Sequence, residues 1–312
     1  MITNSILVIF GLLLLLYCAD RMIIFADTIA KEFSLSPILI GLTIVAFGTS
    51  APELVITIVA SLKDIPVTDA IIGNVIGSNV ANLILILGVS ALFFNIDLGQ
   101  IKNATNAFLF FITFYFAFIF FIDTSFGFIF SVGFFIFLIG FIYYLKNYQS
   151  EITDGDENNE VGFQRSIYIK LMLTFIGIFI GGKLFLDNSL DLFKYLGLQE
   201  TVIGVSVLAI GTSLPELATV ILAYIRKKGA IGIGNVIGSN IMNILFVFFP
   251  GLLIIQSRGL TFNIPENSIL HIYALMLSTI TIIILSLFKI KIGKVVALIF
   301  TGSYATYIWY IV

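Results

Sequence analysis

The chain has one histidine, one cysteine and one tryptophan in 312 residues, and only 11% of it is charged. A single cysteine, Cys18, rules out a disulfide framework and a thiolate metal site. A single histidine, His271, leaves no imidazole cluster for a transition metal, and there is no Ser/His/Asp constellation or phosphate loop of the kind enzymes use. The net charge of −2 offers no basic face for nucleic acid. Soluble domains are about 25% charged, so the scarcity of charge is itself informative.

What fills the chain is apolar: 59% of residues are hydrophobic, with a mean hydropathy of +1.12. A soluble fold could not hide that much apolar surface, because most of any folded surface still faces solvent. The chain is therefore an integral membrane protein. Its apolar runs exceed the ~10 alternating residues of a porin strand. Only helices and closed barrels satisfy their backbone in lipid, which leaves an all-α polytopic fold. The first run, Ile6 to Tyr17, has no positive residue before it and no small-residue cleavage site after it, so it reads as a membrane helix rather than a leader. Bulky Tyr17 before Cys18 argues against a lipoprotein.

Hydropathy gives ten spans, at 3–25, 36–62, 70–94, 104–122, 126–146, 166–188, 199–225, 231–256, 267–288 and 292–311, each near the ~20 residues a bilayer requires. The one sizeable polar stretch, Lys146 to Arg165, separates spans five and six. With the N-terminus outside, Arg21, Lys31, Lys102, Lys146, Arg165, Lys170, Arg226, Lys227, Lys228, Lys289, Lys291 and Lys294 fall on the cytoplasmic side. Lys63, Lys183, Lys194 and Arg258 fall outside. That imbalance sets both termini external and the central loop cytoplasmic. Tyr304, Tyr307, Trp309 and Tyr310 fit an aromatic belt at the external end of the last span.

The chain repeats itself. IGNVIGSN occurs at 72–79 and again at 233–240, and GLTIVAFGTSAPEL (41–54) aligns with GVSVLAIGTSLPEL (204–217) at an offset of 163. Glu53 pairs with Glu216, Pro52 with Pro215, Ser50 with Ser213, Lys31 with Lys194, and Asn82 with Asn243 at an offset of 161. Each half carries five spans. Five is odd, so the second copy enters the membrane upside down, which is a transporter architecture with its site near the midplane. The expected organisation is a first repeat at 1–146, a short cytoplasmic linker at 147–165 and an inverted second repeat at 166–312.

The motifs supply oxygen. In GTSAPE (48–53), Gly48 and Pro52 lie in mid-span. Proline removes a backbone donor and glycine permits unusual dihedrals, so the helix should break there and free carbonyls near Ala46 and Thr49. Thr49, Ser50 and Glu53 add hydroxyl and carboxylate oxygens within one turn, and Gly211, Thr212, Ser213, Pro215 and Glu216 repeat the set. A kink alone needs no acid, and an ionisable residue at mid-membrane is a functional candidate in its own right; here two occupy equivalent positions. In GNVIGSNVAN (73–82) and GNVIGSNIMN (234–243), Ser78 and Asn82, like Ser239 and Asn243, share a helix face. Asn74, Asn79, Asn235 and Asn240 suit helix–helix hydrogen bonding as well as they suit a site. An all-oxygen site selects sodium, potassium, calcium, magnesium or manganese over copper or zinc. Two carboxylates and two carbonyls give the six oxygens at the lower end of calcium's range. Their charge of −2 balances one divalent ion or two monovalent ones, and competition for the same carboxylates is a basis for antiport.

Paired GTSxPE and GNxxGSN motifs in a ten-span chain resemble the calcium/cation antiporter superfamily, and within it the bacterial and archaeal sodium/calcium exchanger homologues. The resemblance covers essentially the whole chain. It implies that the second, third, seventh and eighth helices form the ion sites, while the first and sixth slide against that core. It further implies that Glu53 and Glu216 are shared calcium and sodium ligands, completed for calcium by the Thr49 and Thr212 carbonyls. Ser50, Ser78 and the Ala46 carbonyl would form one sodium site, and Ser213, Ser239 and the Ala209 carbonyl the other, with Asn82 and Asn243 facing the middle. Potassium-dependent relatives carry aspartate at positions like Asn82 or Asn243, and proton/calcium relatives show GNxxE in place of GTSxPE, so the pattern here favours sodium.

No resident cofactor and no obligate protein partner is expected; calcium and sodium bind as substrates, in a cell (inner) membrane. The acidic stretch SEITDGDENNE (150–160) lacks the glycine and spacing of a calcium loop and reads as a solvated linker. His271 reads as an interfacial residue, Asp20 and Arg21 as an intrahelical or interfacial pair, and the phenylalanine-rich 108–138 as lipid-facing bulk. The rival readings are proton/calcium exchange and, in another class, a passive cation channel. The orientation is checked by labelling: a cysteine placed at Asp156, in a Cys18→Ser background, should react with an impermeant reagent only in permeabilised cells. Ready labelling of intact cells contradicts it.

Overall fold

The computed structural model describes residues 2–122, 125–150, 165–195, 211–265 and 268–311. Its helices are α1 (Ile2–Glu32), α2 (Pro37–Thr49), α3 (Ala51–Leu62), α4 (Thr68–Phe93), α5 (Asn103–Ile122), α6 (Phe128–Ser150), α7 (Arg165–Tyr195), α8 (Leu214–Ile225), α9 (Gly229–Ser257), α10 (Ser268–Leu287) and α11 (Lys294–Ile311). Seven are long and apolar enough to cross a membrane, and α2 with α3, bent by 46° at their junction, makes an eighth. Of the span expected at 199–225, residues 199–210 lie outside the described residues. In α11 the tyrosines and Trp309 at the end dilute an otherwise apolar 18-residue helix.

Two antiparallel pairings of two residues each qualify the all-α reading. β1 (Ile96–Asp97) pairs with β4 (Lys291–Ile292), and β2 (Ser125–Phe126) with β3 (Phe262–Asn263). Since β1 precedes α5 and β2 follows it, the two pairings lie at opposite ends of that helix. Each joins a connection in one half of the chain to a connection in the other.

The core is built by α4 and α9, which bury 78% of their spans against 17% for α6. A helix apolar all round belongs inside, and the motif glycines let it get there. An added Cβ at Gly234 would sit 2.3 Å from the Ile38 carbonyl oxygen, and one at Gly238 2.5 Å from that of Leu42, so α9 lies backbone to backbone against α2. The 108–138 stretch is not all lipid-facing. Phe116, Phe126 and Phe134 are buried and meet Phe248 of α9 with ring centroids 4.8–5.5 Å apart, whereas Phe111, Phe118 and Phe135 remain exposed.

α1 and α7 pair along their length. Each has 31 residues, about 46 Å at ~1.5 Å per residue, and so must tilt or project beyond a ~30 Å hydrocarbon core. Both run seven residues past the spans read from hydropathy (32 against 25, 195 against 188). Hydropathy marks the apolar stretch, and intrahelical pairs such as Asp27–Lys31 carry the helix past it. Gly11, Gly177 and Gly181 bring the two backbones together: a Cβ on Gly181 would lie 2.6 Å from the Leu15 nitrogen and 2.9 Å from the Gly11 carbonyl oxygen. Gly181→Val is therefore expected to destabilise the protein by about 2 kcal/mol through overpacking, lowering the thermal midpoint in detergent. Gly302→Val, where the added atom meets nothing within 4 Å, should leave the midpoint unchanged. Equal midpoints for the two variants contradict this packing.

Candidate functional site

The GTS motifs break their helices as the proline register requires. Ser50, between α2 and α3, has φ −81° and ψ 5°, and Ser213, ahead of α8, has φ −90° and ψ 4°. Pro52 and Pro215 are each the second residue of the helix that follows. The equivalence extends to the partner helices: α4 and α9 each carry a π-helical turn, at Ala81–Ile86 and Asn243–Phe248, beside the final asparagine of the motif. Such bulges cost regular hydrogen bonding and cluster at functional positions.

These breaks bring the motif residues together. Glu53, Glu216, Thr49, Ser239, Asn82 and Asn243 are fully buried, and Ser50, Ser213, Ser78 and Thr212 nearly so. Glu53 and Glu216 are near enough to interact electrostatically, and Thr49 stands beside Glu216. Ser78 donates to Glu53 Oε1 at 3.3 Å. Two cross-half hydroxyl pairs correspond under the repeat: Thr49 Oγ1 with Ser239 Oγ at 3.4 Å, and Ser78 Oγ with Thr212 Oγ1 at 3.5 Å. Thr49 Oγ1 also donates to Asn235 Oδ1 at 2.9 Å.

Buried polar atoms without a hydrogen-bond partner concentrate here. Glu53 Oε2, both carboxylate oxygens of Glu216, Ser50 Oγ, Ser213 Oγ, Asn243 Oδ1 and both amide atoms of Asn82 are orphaned. Buried polar atoms are normally paired, so each orphan calls for an explanation. Seven of these eight atoms are oxygens, the donor type of a hard cation. Among the described residues no group of three or more His, Cys, Asp or Glu side chains is placed to hold a metal. The chemistry is that of two carboxylates in a shell of neutral oxygens.

The Ala46 carbonyl differs from expectation. It accepts from the Ser50 N–H at 3.0 Å and from Thr49 Oγ1 at 3.3 Å, so the break does not free it. The four-residue register explains why: Pro52 withdraws the donor facing Gly48, not Ala46. A cation at the Ala46 oxygen requires the Thr49 hydroxyl to turn to Asn235 or Ser239, both already in reach. Ala209, the repeat partner, lies outside the described residues.

The four remaining asparagines divide between tasks. Asn74 Nδ2 donates to the Glu53 carbonyl at 2.9 Å and to Thr57 Oγ1 at 3.2 Å, fixing the backbone that presents the acid. Asn79 donates through Nδ2 to the Asn240 carbonyl at 3.2 Å and accepts through Oδ1 from Asn243 Nδ2 at 3.0 Å, tying the halves together. Asn240 turns to Val236 of its own helix. Asn235, suited by sequence equally to helix packing and to a site, touches Thr49; its position in a repeated motif is the available signal. His271 stays outside the cluster, with Nδ1 2.8 Å from the Tyr307 hydroxyl. Asp20 pairs with Arg226 of the other half rather than with Arg21; α1 carries Asp20 to the turn after α8, which sequence proximity could not reveal.

Comparison with known proteins gives one answer. The family model described as sodium/calcium exchanger protein matches residues 4–146 and 166–312. The putative antiporter CaxA of Alkalimonas amylolytica is 30% identical over 308 residues, covering 94% of this chain and 92% of that one. The sodium/calcium exchanger MaX1 of Methanosarcina acetivorans is 34% identical over 310 residues, covering 84% and 87%. Among solved structures, the sodium-calcium exchanger NCX_Mj, soaked with 10 mM Na+ and no Ca2+, superposes with a TM-score of 0.79 at 29% identity, covering 98% of this chain and 97% of that one.

Asn82 offers a test of how close the asparagines lie to mobile charge. Asn82→Asp adds a third carboxyl to a buried pair, and it must bind a cation or hold a proton. At low pH the protonated side chain mimics the amide and transport should resemble wild type. As pH rises the profiles should diverge, and external potassium should shift the divergence. Superimposable pH and potassium profiles for Asn82→Asp, Asn243→Asp and wild type would remove both asparagines from the site.

Proposed function

We propose that this chain, which belongs to the sodium/calcium exchanger protein family, exchanges sodium for calcium by alternating access at a single site shared between Glu53 and Glu216. It is a multi-pass membrane protein and a cation/calcium antiporter, and its relatives are transporters rather than enzymes. One observation carries the finer reading: two fully buried carboxylates, one from each half, with orphaned oxygens facing hydroxyls and amides and, among the described residues, no lysine or arginine buried with them.

A buried charge without a partner costs several kcal/mol, so the pair must bind cations or take up protons. One calcium ion supplies +2, and two sodium ions supply the same. Either set neutralises the pair, and both together overcharge it, so the ions exclude each other. The Thr49 and Thr212 carbonyls complete the calcium shell. Ser50, Ser78 and the Ala46 carbonyl serve one sodium site, and Ser213, Ser239 and the Ala209 carbonyl the other, with Asn82 and Asn243 lining the centre. The family resemblance supplies this allocation; the clustering of the described residues among them supports it.

The architecture in this reading is ten spans in two inverted repeats, 1–146 and 166–312, joined by a cytoplasmic linker, with both termini outside the cell membrane. The matched helix breaks, the matched π turns and the cross-half strand pairings support it. The glycine-lined pair α1 and α7 slides over the core to expose the site to one face and then the other. Phe175 of α7 lies over Gly48, and Leu186 lies over Gly211, so one helix spans both breaks. Proton/calcium exchange is the nearest rival, and a passive channel the rival of another class; GTSxPE in place of GNxxE favours sodium over protons, and one enclosed carboxylate pair favours a carrier over a continuous pore.

Purified protein in sodium-loaded liposomes should take up calcium only while the sodium gradient lasts. Uptake driven by a pH gradient without sodium contradicts sodium coupling, and flux without any counter-ion indicates a channel. Glu53→Gln and Glu216→Gln should each abolish uptake while leaving the folded protein intact. The amide is nearly isosteric but replaces one oxygen by an NH₂ donor that cannot coordinate a cation. The uncompensated charge costs several kcal/mol, or about two decades of affinity at ~1.4 kcal/mol each. Near wild-type exchange by either variant contradicts a shared site.

A further inference from the structure

Among the described residues, the ion pairs that link α1 to the core are not matched in the other half. Asp20 is gripped by Arg226, just past the end of α8, whose guanidinium donates through both Nε and Nη2, the latter at 2.6 Å to Oδ2. Seven residues on, two turns along the same face of α1, Asp27 meets Lys228 at 2.8 Å and Lys31 of its own helix at 3.0 Å. The Asp27 side chain is only 14% exposed. Two bridges thus tie α1 to the turn joining α8 and α9, the helices that carry Glu216 and Asn243.

The repeat offset of 163 puts Lys183 in the place of Asp20 and Lys63 in the place of Arg226. The same pairing in the other half would therefore set two lysines together. Lys183 bridges instead to Asp187, one turn along its own helix, at 2.8 Å. The attraction at one end of the molecule thus has no counterpart in the residues that the repeat places at the other. In an inverted repeat those ends are the two faces of the membrane, and closing one opens the other.

The geometry points to Asp20 and Asp27 as positioning residues that hold the cytoplasmic half of α1 closed over the site, biasing the alternating-access equilibrium toward the state open to the outside. The inference rests on the antiport reading and orientation above. Packing on the same half of α1 agrees: Ala19, Met22, Ile23 and Ala26 are fully buried in one cluster with Ile40, Val45, Ala218 and Ala223. Small and aliphatic contacts of that kind set no register by themselves, whereas a bidentate arginine–carboxylate pair does.

Apparent affinity at a given face scales with the fraction of molecules open to it. Apparent calcium affinity is therefore measured separately from each face in oriented proteoliposomes. Asp20→Asn should raise the cytoplasmic-face affinity about three- to fivefold, the size expected for a partly exposed bridge, while external affinity stays level or falls. Asp20→Arg should do so at least as strongly, and Asp20→Arg with Arg226→Asp should restore the wild-type ratio. A purely structural role would lower activity at both faces alike and would not be rescued by exchanging the charges. An unchanged ratio in Asp20→Asn, or a shift that the charge exchange fails to reverse, overturns the latch. If Asp20→Arg does not fold, Asp20→Asn and the exchanged pair still decide. The antiport reading fails separately, and visibly, if wild type shows no sodium-coupled calcium uptake.

Discussion

Two carboxylates buried side by side in a membrane protein cannot be left alone. Each is sealed from water, they repel one another, and among the described residues no arginine or lysine is buried with them to balance them. The fold holds them in a position that only a mobile cation or a proton can relieve. The broken helices, the glycine-lined crossings and the hydroxyls that ring the pair all serve that placement. A helix carrying the acid must break to turn oxygens inward, and its neighbours must be small enough to close around the break without filling it.

The repeat makes this construction economical. One motif, used twice, supplies both acids, both breaks and both π turns. Departures from symmetry mark what distinguishes one half from the other. Thr49 reaches Asn235, while Asn74, the counterpart of Asn235, holds the backbone of Glu53. Asn243 donates to Asn79, while its counterpart Asn82 is unpartnered. A symmetric carrier would have no preferred face; unequal hydrogen bonds and the α1 ion pairs give a physical source for a preference.

Much of this was legible in the residues, because the strongest signals were periodic or repeated. Length of apolar run gave membrane helices, and recurrence gave the acids and the motif glycines. What stayed hidden depended on distance through space or on exact register. The Ala46 carbonyl keeps its donor because the proline acts four residues back from itself, a one-turn difference that an approximate boundary blurs. The extension of α1 and α7 beyond their apolar stretches rests on polar residues that hydropathy reads as loop. The Asp20–Arg226 pair joins residues 206 apart, and the buried role of Phe116, Phe126 and Phe134 depends on α9 lying across them. Composition alone gave these phenylalanines to the lipid.

In the proposed exchange, calcium and sodium compete for one carboxylate pair. The direct measurement is equilibrium binding of calcium to purified wild-type protein, titrated with sodium and, in parallel, with choline at matched ionic strength. About one calcium per chain should bind, as the charge of the pair requires. Sodium should displace it with a slope above one, since more than one monovalent ion must replace it, and choline should not. Calcium retained at saturating sodium, or released equally by choline, would contradict a shared site and with it the basis of exchange.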